Sequence, residues 1–496
     1  MSQTEPIRRA GYRHEEAIQM ALTKAIDLQV GVKPIFPAMV HRSAYEGPCR
    51  VGTEDTLAPA ADVARGQTRY AAFTEGLSKR VGSQAEVLEP VYFSFEDDWL
   101  VDGSQYDSIE RDLDRTDCFL VAAGTALSQF VATQIGIRYK KPTVMVGGES
   151  DPNLPMGCDA VSHLRSLGLE GHVLLDDDEL REMISLMQVR KALAHTRILR
   201  VTEHTFDQVN GNYDSLQAFE ERLGVTSTDL SIAAFVEEMD RVASSSEEMA
   251  SLACETDGLI AQAAKTHMSR ESVLQSMVFY RATRNLLARL NCNAFTINCF
   301  EICPDGRIAN QRKAVPCLTH TLLKDAGIPS ACEGDINVLL AIAAITYLTH
   351  QSSHMGNLYM VNREKNILGV LHDVPGRFMR GYDQPALPFE IRNFTLGGWG
   401  ATVRYDFARD KGQAVTVARF DPTASRLMAT RGTLIGCMGF DRPSCSLEAL
   451  IQVDDVAAFF RQAANFGNHS VVVYGDQVQR LTALGQLVGF EVVSGC

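Results

Sequence analysis

The sequence has no surplus of positive charge, no apolar run long enough to cross a bilayer, no regular cysteine framework and no glycine-rich nucleotide motif. Each absence removes a class of function. With 47 Lys+Arg against 61 Asp+Glu, the formal net charge is -14, which disfavours nucleic acid or an anionic membrane surface as the main partner. The longest apolar run, Ile336 to Leu348, is too short and too interrupted for a membrane span. The opening MSQTEPIRRAGYRHEE has no apolar segment of the kind a secretion signal carries. The 12 cysteines are scattered singly, unlike a secreted disulfide scaffold, and read as reduced thiols. A cytoplasmic protein is therefore expected. Cys299 and Cys303 in CFEIC are too widely spaced and lack a second pair, so zinc gains no support there. Without GxGxxG or P-loop patterns, neither does a nicotinamide or nucleotide cofactor.

What is present is ordinary for a folded soluble chain: 496 residues, 45% apolar and 22% charged. That length exceeds what one core serves, and three domains are expected. Between residues 30 and 180, strand-length apolar runs (GVKPIFPAMV, EVLEPVYFSF, DCFLVAAGT, KPTVMVGG, GHVLLDDD) alternate with helical patterns such as ALSQFVATQIGIRYK. This is the punctuation of a parallel sheet with crossover helices. A second α/β unit follows the helix DDELREMISLMQVRKALAHT. It begins with RILRVTEH, runs through a polar helix at Asp240 to Lys265, and ends in strand, helix, short strand and long buried helix up to about residue 350. Beyond that point, short alternating runs separated by Gly, Pro, Asn and Asp predict antiparallel hairpins. The expected domains are 1–180, 181–350 and 351–496.

The candidate chemistry lies in three places. In IPSACEGDINVLL, Glu333 and Asp335 sit on a glycine turn between an apolar strand and a buried helix. Ligand and catalytic groups favour the carboxyl ends of strands, although either residue could simply cap the helix. HMGNLYMVNREKNILGVLHDVPG places His354, Asn357 and His372 around one hairpin, and NFGNHSVVVYGD sets His469 before an apolar strand and Asp476 after it. Taken singly, each histidine reads more readily as a satisfied structural group than as a ligand. The acidic runs DDWLVDGSQYD and LLDDDEL read as solvated faces or caps. Arg13, His14 and Arg42 read as surface charge or as groups reaching a neighbouring subunit. Arg377, Arg380, Arg392 and Arg419 read as anion partners or solvated charge.

Together, PCLTHTLLKDAGIPSACEGD with the long helix after it, the histidine following the hairpin, AVTVARFD and GNHSVVVYGD resemble the L-fucose isomerase-like family, with L-arabinose isomerase more distant. The GT turn at Gly124 and Thr125 and the segment GVTSTDLS are weaker matches. The resemblance covers most of the chain but is sharp only from about Pro316 to Gly376 and from Gly467 to Asp476. It implies two Rossmann-like α/β domains followed by a mostly antiparallel β C-terminal domain. It also implies a homo-oligomer (a hexamer) and a divalent metal, usually manganese, used in aldose–ketose interconversion of a small sugar. Carried over, Glu333 matches the carboxylate ligand and acid/base group, His469 the histidine ligand, and His372 the additional histidine of the arabinose isomerase branch. Where the family supplies its second carboxylate, this chain reads His354-Met355-Gly356-Asn357. An asparagine there can coordinate through its oxygen but cannot act as a base. Asp335, as a second catalytic group, or Asp373 or Glu301 is expected to compensate. The alternative is a relative that has lost isomerisation and epimerises, cleaves or only binds a sugar-like ligand.

Overall fold

The computed structural model describes residues 22–47, 50–97, 101–123, 127–147, 154–203 and 216–494. Arg13, His14, Gly124 and Thr125 lie outside them. Three sheets dominate. In the first, β1 (Val30–Val40) is flanked by β2 (Ala85–Val87) and β3 (Val91–Glu96) on one side and by β4 (Cys118–Ala122), β5 (Thr143–Val146) and β6 (Gly171–Leu174) on the other, all parallel. β4 is buried along its whole length, which is why it reads as a continuous apolar run rather than an alternating one. EVLEPVYFSF, expected as one strand, is two, because Pro90 offers no N–H where the ladder would continue.

The second sheet is also parallel, in the order β11-β10-β7-β8, from β7 (Arg197–Val201), β8 (Thr226–Leu230), β10 (Ala294–Ile297) and β11 (Ser330–Cys332). The expected polar helix at Asp240 to Lys265 is two helices, Ile232–Ser244 and Ser246–Gln262. Ser245 ends the first and caps the second, its hydroxyl accepting from the Glu248 N–H at 3.3 Å. A short polar side chain is better placed at such a boundary than inside a helix.

The third sheet is built from β12 (His354–Asn362), β13 (Ile367–Leu371), β16 (Ala414–Phe420), β17 (Arg426–Met438), β18 (Glu448–Gln452) and β19 (His469–Tyr474), in the order β16-β19-β12-β13-β18-β17. β16 also pairs with β17, closing an antiparallel barrel, and β20 (Glu491–Ser494) joins β17 in parallel. Between barrel segments, β14 (Glu390–Asn393) and β15 (Ala401–Arg404) form a small sheet with β9 (Lys265–Thr266). The chain is thus mixed α/β, with parallel sheets followed by an antiparallel barrel.

Residues inside the barrel alternate with residues outside it. Val415, Val417, Leu368, Val370 and Val472 fill the interior. Ala418, Phe420, Val471 and Val473 pack outward against the helix Ile336–Thr349. That helix is apolar all round because the barrel covers one flank and the helix Asp177–Ala194 with the second sheet covers the other. It therefore fixes the carboxyl end of β11 against the barrel. Among the described residues, no helix is long and apolar enough to cross a membrane.

Candidate metal centre

Three element ends converge. Glu333 follows β11 directly, with φ +61°, and Gly334 continues at φ +69° while its N–H bonds to the Ile297 carbonyl at 3.2 Å. A left-handed backbone is uncommon for glutamate and persists only where its surroundings hold it, as at many functional sites. His372 comes immediately after β13, and His469 is the first residue of β19. Asn357, on β12, is paired in register with His469 on one side and Leu371 on the other, so its side chain shares a face with His469.

The Nε2 atoms of His372 and His469 lie 3.1 and 3.3 Å from the two carboxylate oxygens of Glu333. One ligand atom from each of the three side chains can be chosen so that all lie within 4.8 Å of one another, and all three residues are buried. An oxygen donor and two imidazoles at this spacing suit a divalent first-row ion without identifying it. The histidines are held differently. His469 directs Nδ1 at the Asp335 carboxylate, 2.9 Å away. Nδ1 of His372 accepts from the Asp373 N–H at 3.1 Å.

Charge is balanced inside this buried site. Burial pushes the Glu333 carboxyl upward, but the hydrogen bonds from His372 and His469 outweigh it and bring the pKa down to about 2. Asp335 is likewise pushed up by burial, yet the Arg419 charge and His469 hold it far below the usual carboxylate range. Burial disfavours the charged ring of His469, but Asp335 and Glu333 raise its pKa to about 9. Without metal, His469 is therefore a cation between two anions. The Asn357 amide nitrogen, Nδ2, lies 3.1 Å from His469 Nε2. Exchanging the amide's nitrogen and oxygen by a flip would present Oδ1 to the ring instead.

The remaining expected residues lie elsewhere or are already engaged. Asp335 is fully buried, accepting from the Val338 N–H at 3.1 Å and from Arg419 at 2.7 Å. Asp373 is held by Arg404 at 2.5 Å and by the Leu447 N–H. Glu301 accepts from Thr202, Asn298 and the Glu203 N–H. None of the three extends the cluster of Glu333, His372 and His469. His354 turns the other way, bonding to the Val370 carbonyl at 3.2 Å, with its ring tilted against that of Phe407. Asp476 lies past the far end of β19 and accepts from the Val478 N–H. Arg377 pairs with Asp325, Arg380 with Asp410, and Arg392 with Glu390 and Asp441. Arg42 forms an exposed pair with Glu96. In LLDDDEL, Asp176 caps the following helix.

Two groups near the site were not singled out from the sequence. One is the role of Arg419, a buried charge on a strand whose other residues are apolar apart from Thr416, and that contrast within AVTVARFD was the available signal. The other is Glu448, whose register partner Leu371 is itself paired with Asn357, so it occupies the same cross-strand row. Its carboxyl is buried, and desolvation raises its pKa.

No family model matches the chain. It is similar to the sulfoquinovose isomerase of Alkalicoccus urumqiensis, 25% identical over 224 residues covering 43% of this chain and 47% of that protein. It is also similar to the sulfoquinovose isomerase of Priestia megaterium (strain ATCC 12872 / QMB1551), 23% identical over 186 residues covering 37% of this chain and 40% of that protein. The chain thus spans less than half the length of the curated relatives it matches, and over that part the likeness is to sugar isomerases.

Proposed function

We propose that this chain is a metal-dependent aldose–ketose isomerase acting on a small sugar or sugar derivative, with Glu333 as the carboxylate that moves the proton. The observation that carries this reading is the convergence of Glu333, His372 and His469 from three separate element ends, within reach of one ion. The partial likeness to sugar isomerases points the same way and makes sulfoquinovose the first substrate to try. Glu333, His469 and His372 would hold the metal, manganese by the family resemblance, with the Asn357 amide oxygen beside them. Bound there, the ion would polarise the sugar carbonyl and acidify the neighbouring C–H.

The protein's own residues have defined tasks in this reading. Glu333, ionised across the neutral range, accepts the proton from one carbon and returns it to the adjacent one. Because Asn357 cannot exchange a proton, a single carboxylate serves both steps. The same asparagine favours the second reading, a relative redirected to epimerisation, carbon–carbon cleavage or binding alone. We further propose domains at 1–180, 181–350 and 351–496, a homo-oligomer (a hexamer by resemblance) and a cytoplasmic location.

The test is deuterium uptake in D₂O from sulfoquinovose and a panel of aldoses, ketoses and sugar acids, with the protein stripped of metal or supplied with Mn²⁺. Metal-dependent label at carbon 1 or 2, with the matching product, is the expected result and should vanish in a folded Glu333→Gln variant. Binding without exchange would favour the redirected relative.

A further inference from the structure

Arg419 is a charged side chain only 1% exposed, on a strand whose other residues are nearly all apolar. Its guanidinium donates through Nη1 to Asp335 Oδ2 at 2.7 Å and to the His469 carbonyl at 2.9 Å, and through Nε to the Phe466 carbonyl at 2.6 Å. It therefore grips both ends of the turn that leads into β19 while holding the carboxylate that follows β11. Gly467 makes room for it: a Cβ there would lie 2.8 Å from the Arg419 Nε, and φ is +120°. Asp335 has one oxygen on the Val338 N–H and the other on Arg419 and His469 Nδ1. With Nδ1–H committed to that carboxylate, the Nε2 of His469 is the atom left facing Glu333, 3.3 Å away.

We infer that Asp335 and Arg419 are a positioning pair that fixes the ring orientation of His469 for metal binding and locks the barrel side of the site to the β11 side. The inference rests on the metal-dependent reading above and gives Asp335 a role other than contact with substrate. A carboxylate behind a ligating imidazole sets its tautomer and orientation, and losing it typically weakens metal binding about 10- to 100-fold. His372 has no such support, since its Nδ1 accepts from a backbone N–H. Stability alone is a poor reason for the pair, because buried ion pairs are often replaceable by apolar side chains without loss. Its geometry, reaching His469 by both ring and backbone, is the better one.

The test compares wild type, Asp335→Asn, Arg419→Lys and His469→Ala, with thermal melts to establish folding. Each protein is titrated calorimetrically with Mn²⁺. In metal-free, histidine-¹⁵N-labelled protein, the low-field Nδ1–H resonance that disappears in His469→Ala is followed. Asp335→Asn should abolish or shift that resonance and weaken Mn²⁺ binding about tenfold or more. Arg419→Lys, which keeps the charge but loses the fork, should shift the resonance and weaken binding less. Wild-type resonance and affinity in a folded Asp335→Asn, or in Arg419→Lys should the first variant not fold, would overturn the inference. If wild type bound no Mn²⁺, the metal-dependent reading would fail, while the resonance in metal-free protein would still decide whether Asp335 positions His469.

Discussion

Glu333 combines three properties rarely found on one glutamate: a left-handed backbone, burial, and two imidazole Nε2 atoms on its two oxygens. The chemistry of these residues was legible in the sequence, since CEGD, the histidine after the hairpin and GNHS each mark an element end. Asn357 is the departure with the clearest consequence. Changing Asn357→Asp adds a negative charge beside His469 and should tighten Mn²⁺ binding severalfold in a calorimetric titration; unchanged affinity would place residue 357 outside the ion's reach. His469 predicts a pH dependence. Its pKa is raised from 6.5 to about 9, so its ion pairing stabilises the metal-free fold fully below pH 6.5 and is lost as pH rises through 9. An ion at Nε2 competes with that proton, so Mn²⁺ affinity should climb by up to about tenfold per pH unit from 6.5 to 9 and then level off. A flat profile over that window would count against Nε2 as a ligand.

At the level of elements, period and punctuation carried most of the information. The strands around residues 30 to 174, the long buried helix and the barrel hairpins lie where alternation and turn residues place them, because those signals are local. The misses were local conflicts: Pro90 dividing one apolar run into two strands, and Ser245 dividing one helix into two. A different constraint was invisible. On β13, a Cβ at Gly369 would lie 1.8 Å from Glu448 Oε1 and 2.9 Å from Val361 Cγ2, so the glycine leaves room for a carboxyl two strands from Asn357. Gly369→Ala should destabilise the protein by about 1–3 kcal/mol through overpacking, read as a lower denaturant midpoint. Adding Glu448→Ala to the same chain should recover part of the loss, and no recovery would mean the clash lies elsewhere.

For the whole molecule, the site sits where the second sheet meets the barrel, held there by the helix Ile336–Thr349. An ion bound across that junction links the two only in the folded state. Mn²⁺ at a hundred times its dissociation constant should therefore stabilise the fold by about 2.7 kcal/mol. Thermal melts should rise with Mn²⁺, fall back with chelator, and show no response in His469→Ala. A melt indifferent to metal in wild type would remove the junction site. At this scale the net charge of -14 disfavours nucleic acid as the main partner.

Sequence by itself determined the mixed α/β class, the order of most elements and the kinds of side chain at the candidate site, because periodicity, turn chemistry and residue type are properties of short segments. Only the tertiary structure decided which groups meet. Asp335, a catalytic candidate in the sequence, lies against Arg419 and His469. Asp373 is taken by Arg404, and Glu301 by Thr202 and Asn298. These pairings join residues separated by up to 134 positions, and burial makes each one decisive by removing the water that would otherwise compete for the charges. Neither the separation nor the burial can be read from a local pattern.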